Sequence, residues 1–239
     1  PSNEPTYGLW SGQWREQVLS LVKEGRGQQE IIQLLTGKLD SHAQPWQSIN
    51  YIESHDDYSF VDRILDGEKK DAGKFADDLI KMNRLAIFII LFSPGVPMLS
   101  AGQDFMRNKE GVRNTYKRGD LNVLRYEDLN YYSELNLGVR QMIKFRLSED
   151  GVFLRPQKMG DCSYHVCEGF SEGTIGLEIE DNRKHKSFLL VINFVSQNRT
   201  VLYPGKWLGS RCFLSGIQAR SNAVFPPYSN AVFGLKEES

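Results

Sequence analysis

Residues 48–57 read SINYIESHDD, a short β-type run from Ile49 to Ile52 that carries His55, Asp56 and Asp57 beyond its end. In parallel α/β barrels the working side chains sit at the C-terminal ends of strands, because the following loops converge there. His55 and Asp56 stand at that place after one strand, and Gln103 and Asp104 stand there after the next. A bland alternative is open: the dipeptide caps the following turn and satisfies buried amides. Adjacent His and Asp also serve metal phosphohydrolases, but in an all-helical setting with further histidines. Here the pair follows a strand-like run, and Pro45 breaks the segment before it. A second cluster, Cys162, His165 and Cys167 in DCSYHVC, lacks a fourth ligand at plausible spacing, so it reads as strand residues and not as a metal site.

The elements that must position these residues change character near residue 150. Before it, helical patterns alternate with short strands. Leu9 to Lys23 reads as a helix opening on Trp10 and Trp14, and Ile31 to Leu35 as another, stopped by Thr36-Gly37. Apolar residues at Phe75, Leu79, Met82, Ala86 and Ile89 predict a helix over 71–92, with an all-apolar second half that must pack deeply. Ser93-Pro94-Gly95 ends it, Val96 to Ser100 is a second strand, and residues 129–147 form a last helix. Such alternation belongs to parallel βαβ architecture, yet two strands cannot close a barrel. After residue 150, SYHVCEGF, TIGLEIE, FLLVINFV, RTVLYPG, RCFLSG and NAVFGL predict short strands of an antiparallel sandwich.

Composition narrows the function. The chain has 239 residues, 40% hydrophobic and 25% charged, as a globular protein of one or two domains has. A net charge of -1 argues against a nucleic-acid partner or an anionic membrane held by charge. The longest apolar run, LAIFIILF at 85–92, is too short to span a bilayer. Three cysteines give no complete disulfide framework. Neither a cofactor nor a metal is implied, and the compartment is left open.

Longer stretches carry a resemblance. NYIESHDDYSFVDRI resembles the fourth signature region of the alpha-amylase superfamily, glycoside hydrolase family 13, in its pullulanase, isoamylase and glycogen-debranching branch; Asn50, Tyr51, His55, Asp56 and Asp62 match. PGVPMLSAGQDFMRNKEGVRNTYKRGDLN is similar to that family's final strand and loop at Gly95, Pro97, Gly102, Gln103, Phe105, Arg107, Lys109, Asn114, Tyr116, Asp120 and Asn122. LWSGQWREQVLSLVKEG resembles the helix after the sixth strand, and VFPPYSNAVFGL the last strands of the C-terminal sandwich. Departures are Asp57 where the family has Asn, Ser59-Phe60 in place of Thr-Leu, and Tyr126 in place of Trp.

The resemblance implies a fold, α/β plus all-β: residues 1–149 as the C-terminal part of a catalytic (β/α)8 TIM barrel, its last two strands and their helices, then residues 150–239 as a β-sandwich. It implies an α-glucan substrate (glycogen, starch or pullulan) cut at α-1,6 branches with retention. Asp56 is then the catalytic transition-state stabiliser, and His55, Arg107, Asn114 and Asp120 bind substrate. The nucleophile and general acid belong to the fourth and fifth strands, which precede residue 1 in the family pattern. The expected partner is therefore the missing N-terminal part of the barrel, and the chain alone is expected to be inactive and either to self-associate or to loosen its N-terminal half while the sandwich stays folded. Other readings are an α-amylase or branching-type enzyme, and a non-catalytic carbohydrate-binding module using Trp207, Tyr203 or Tyr228 as sugar platforms.

Overall fold

The structure, a computed structural model, describes residues 8–10, 12–38, 44, 47–67 and 76–235. Phe75, the first part of the expected 71–92 helix and Pro45 lie outside the described residues. Three short strands, β1 (Leu9–Trp10), β2 (Ser48–Asn50) and β3 (Val96–Pro97), form a parallel sheet in the order β1-β2-β3. Leu9 pairs with Ser48, Trp10 with Ile49, Ile49 with Val96 and Asn50 with Pro97.

One expectation is overturned here. Leu9–Trp10 is a strand, not the first turn of a helix, so the parallel sheet has three strands and not two. Trp10, Trp14 and Val18 do stand at helical spacing, but α1 (Gln13–Glu24) starts only after Gly12. A two-residue strand is too short to display its own period. What holds it is ladder pairing to β2, with the Trp10 ring 5.3 Å from that of Tyr51.

α1 turns Trp14, Val18, Leu21 and Val22 inward and ends on Gly25 at φ 66, whose N–H returns to Leu21 O. The Trp14 indole donates to Ser48 Oγ at 3.1 Å, tying α1 to β2. α2 (Gln28–Leu35) and α3 (Phe60–Ile64) follow. α4 (Asp77–Leu91) begins with two aspartates at its positive end and buries every residue from Leu85 to Leu91. It is central: α1, α3, α7 (Ser133–Leu147) and the last strand, β9 (Ser229–Gly234), all touch it. The helix expected over 129–147 is broken at Tyr132, where φ is -111 and ψ 26, into α6 (Asp128–Tyr131) and α7; α5 (Gly119–Asn122) precedes them.

Arg146 of α7 is 4% exposed, and its guanidinium donates to the carbonyls of Leu91, Ser93, Gly95 and Leu154. Burial, with Arg155 nearby, brings its pKa down to about 10. This cation clamps the turn that feeds β3. Within that turn Gly95 has φ 116, and a Cβ there would lie 2.7 Å from Ser48 O and 2.8 Å from Asn50 Oδ1. Gly95→Ala should therefore cost roughly 2–3 kcal/mol, read as a lower urea midpoint at unchanged slope. An unchanged midpoint would show that the turn relaxes freely.

The β-rich half has a four-stranded antiparallel sheet, β4 (Cys162–Val166), β5 (Thr174–Asp181), β6 (Lys186–Asn193) and β9, in the order β4-β5-β6-β9. A two-stranded sheet pairs β7 (Arg199–Val201) with β8 (Ala223–Phe225). β6 is apolar on both faces for a reason: Phe188, Leu190 and Ile192 join the core with α1, α4 and α7, while Leu189 and Val191 face a second cluster with Trp207, Tyr203 and Phe225. RCFLSG, expected as a strand, is instead a tight reversal. Cys212 N–H donates to Ile217 O, Gly216 N–H to Cys212 O, and only isolated bridges form.

Candidate active site

The backbone leaves β2 through Tyr51 and Ile52, buries Glu53, and then surfaces at His55 and Asp56. Glu53 is 1% exposed; its Oε2 accepts the Phe60 N–H at 2.9 Å and Arg107 Nη1 approaches Oε1 to 3.5 Å. Burial nonetheless pushes its carboxyl above the usual range, more than the Phe60 amide, Ser100, Arg107 and Lys109 pull it down. Glu53 is thus a floor to the site and not a group that solvent or substrate reaches.

His55 and Asp56 are the reverse. Their side chains are 79% and 78% exposed, with His55 Nε2 3.3 Å from Asp56 Oδ2. Asp57 next to them has φ 64, a conformation that Asp and Asn accept more readily than other non-glycine residues. Burial raises its carboxyl, but the Tyr58 N–H, Arg113 and Arg15 outweigh that and hold it below the usual carboxylate range. Arg113 Nε lies 2.9 Å and Arg15 Nη1 3.4 Å from it. The charge that Asp57 adds beside the site is therefore matched by two cations.

The second wall comes from the chain after β3. Gly102 at φ 89 lets Arg107 fold back against it; an added Cβ would meet Arg107 Cβ at 2.8 Å. Arg107 Nη2 donates to Asn122 Oδ1 at 3.2 Å. Thr115 Oγ1 donates to Asn122 Oδ1 while Asn122 Nδ2 donates to Thr115 O, closing the 115–122 loop on itself. Between the walls lies a cleft of about 480 Å³, lined by His55, Asp56, Arg107, Asn114, Tyr116 and Asn122 among others.

Four of the five residues given catalytic or substrate-binding roles from sequence thus line one cleft, while Gln103 and Asp104 do not. Asp120 is not among its lining residues: its carboxylate is 62% exposed and is gripped by Arg118, which lowers its pKa. Tyr116, 83% exposed, lines the cleft with Lys117 Nζ 5.4 Å from its ring centroid. No role was read for Tyr116 from sequence; its place in the matched loop was the only signal. A larger apolar cavity of about 790 Å³ lies elsewhere, beside β3, lined by Leu91, Val96, Pro97, Ile143 and Leu147. It holds no carboxylate and none of the residues that line the cleft.

Trp207, Tyr203 and Tyr228 do not serve as platforms. They are 0%, 7% and 8% exposed, and the Trp207 indole donates to Glu178 Oε1 at 2.6 Å, so no ring face is open to a sugar. Among the described residues no group of three or more His, Cys, Asp or Glu could hold a metal ion, and no helix is long and apolar enough to cross a membrane.

No family model matches the chain. Individual proteins do. The pullulanase of Bacillus subtilis (strain 168) is 33% identical over 142 residues, covering 58% of this chain and 19% of that protein. Isoamylase 1 of Arabidopsis thaliana chloroplasts is 27% identical over 177 residues, covering 59% of this chain and 23% of that protein. The chain therefore spans about a fifth of the length of these curated relatives. In fold it matches the pullulanase of Anoxybacillus sp. LM18-11 complexed with maltotetraose with a TM-score of 0.81 at 18% identity, over 97% of this chain and 35% of that one. The Bacillus subtilis str. 168 pullulanase type I complexed with maltose gives 0.79 at 22%, over 97% and 36%. By sequence the chain is a homologue of the pullulanases and isoamylases, debranching enzymes of glycoside hydrolase family 13, and its fold is one found in pullulanases.

Proposed function

We propose that this chain is part of the catalytic unit of a glycoside hydrolase that cleaves α-1,6 branch linkages in α-glucans such as glycogen, starch or pullulan. The carrying observation is that His55 and Asp56, at the C-terminal end of a parallel strand, share one open cleft with Arg107 and Asn114. The pullulanase and isoamylase relatives support placing sugar chemistry there. In this reading residues 1–149 are the C-terminal part of a TIM barrel, with β1, β2 and β3 its last three strands. Residues 150–239 are the C-terminal β-sandwich.

Retaining hydrolysis needs a nucleophilic carboxylate and a carboxylic acid flanking the bond. Asp56 supplies neither; its open carboxylate stabilises the oxocarbenium-like transition state more than the ground state. His55 binds the sugar in the subsite before the scissile bond, and Arg107 and Asn114 make further substrate contacts in the cleft, from which Asp120 is drawn away by Arg118. Among the described residues the other carboxylates of the segment are occupied: Glu53 under the floor and Asp57 by arginines. The nucleophile and the acid come from the rest of the longer enzyme.

The test is a reducing-end assay of the complete enzyme on pullulan and on amylose, whose linkages are all α-1,4. New ends from pullulan and few from amylose are expected. Cleavage of amylose with pullulan left intact would replace this reading with an amylase. Glucan binding without any hydrolysis would replace it with a binding protein.

A further inference from the structure

We infer that Lys109 is the positioning residue for Asp56; this rests on reading Asp56 as the transition-state carboxylate. The Asp56 side chain is 78% exposed and its ion pair is with His55, itself 79% exposed. Nothing in that pair anchors the carboxylate, so the backbone beneath must place it. That backbone is held by one ammonium. Lys109 Nζ donates to His55 O at 3.0 Å and to Asp57 O at 2.8 Å, pinning the peptides that enter Asp56 and leave Asp57. Between them the chain reverses through the φ of 64 at Asp57. Two carbonyls brought to face one point need a cation or a paired donor between them.

The lysine is itself fixed from behind. Its N–H donates to Asp62 Oδ2 at 2.7 Å, the Gly111 N–H to Asp62 Oδ1 at 3.0 Å, and Ser59 Oγ to Asp62 Oδ2 at 2.7 Å. Two residues earlier in the loop, Arg107 meets Glu53 under the same turn. Lys109 is 1% exposed, and burial, with Arg107 nearby, holds its ammonium below the usual lysine range. A buried cation is a poor route to stability, since an apolar side chain of like volume often does as well. Spending one on the two carbonyls around an exposed carboxylate fits a demand for place, because a misplacement of about 1 Å can cost about 10²-fold in rate.

The experiment uses the complete enzyme with pullulan. Lys109→Met should fold, lower kcat by about 10²-fold and leave KM within about threefold, and Lys109→Gln, which keeps a donor, should recover part of the loss. The deciding measurement is the double variant. If Lys109 acts through Asp56, Asp56→Asn with Lys109→Met should turn over no more slowly than Asp56→Asn alone. A folded Lys109→Met enzyme with kcat within threefold of the parent overturns the inference, as do losses that multiply in the double variant. If both Lys109→Met and Lys109→Gln fail to fold, Lys109 is a residue of the fold and the inference is equally overturned. Near-normal turnover by Asp56→Asn alone refutes the reading of the site itself, whatever Lys109 does.

Discussion

In the complete enzyme, Asp56→Asn is expected to lower turnover on pullulan by about 10³-fold while KM moves by less than about threefold. The substitution keeps size and shape and removes one negative charge. A charge that faces positive charge developing at the sugar matters in the transition state and little in the ground state, so the loss should fall on kcat. Global stability should hold, because the Asp56 side chain is 78% exposed and an exposed substitution away from packing usually stays within about 0.5 kcal/mol. His55→Ala should hurt turnover less and show as a KM about tenfold higher, since it removes a contact that substrate and transition state share. The check is a full Michaelis profile of each variant beside a melting curve. Turnover of the Asp56→Asn enzyme within tenfold of the parent would take Asp56 out of the chemistry.

What could be read in advance follows from the physics of each element. α1, α2, α4, β5 and β6 carry enough residues for a period to emerge, and β6 shows the unbroken apolar run of a strand covered on both faces. β1 was lost because two residues have no period, and its aromatic fell in phase with Trp14 and Val18. RCFLSG looks like a strand by composition, yet Gly216 at φ 71 lets it turn back on Cys212. The place of His55 and Asp56 after a strand was legible from the strand's sequence. The bracing was not. Lys109 reaches under His55 and Asp57 across 54 and 52 positions, and Arg113 and Arg15 answer Asp57 across 56 and 42, contacts set only by the tertiary fold. Asp120 shows the opposite limit: a motif position places a residue in the right loop, while Arg118 two positions away decides where its carboxylate turns.

Expressed by itself, this 239-residue chain should release no sugar from pullulan and should run as oligomers in size-exclusion chromatography with light scattering. Inactivity is expected because retaining hydrolysis needs a nucleophile and an acid flanking the bond, and Asp56 alone cannot fill both roles. Association follows from the sheet. Among the described residues β1 and β3 each pair on one side only, so each offers backbone donors and acceptors to another chain. The edges are apolar as well: Leu9 is 40% exposed, Trp10 52% and Val96 52%, and the 790 Å³ cavity lies against β3. Removing about 100 Å² of such surface from water is worth about 2.5 kcal/mol against an association cost of about 4–15 kcal/mol, so joined edges must bury on the order of 200–600 Å² to hold. Lysine at an edge is the usual remedy against such pairing. Trp10→Lys combined with Val96→Lys should therefore shift the chain toward monomer without unfolding the antiparallel sheet, whose β6 is paired on both sides by β5 and β9. A fragment carrying the remaining barrel strands should compete with self-association and bring back hydrolysis, because the carboxylates that flank the bond would then face Asp56. A monomeric chain that cleaves pullulan unaided would overturn both the division of the active site and the part assigned to Asp56.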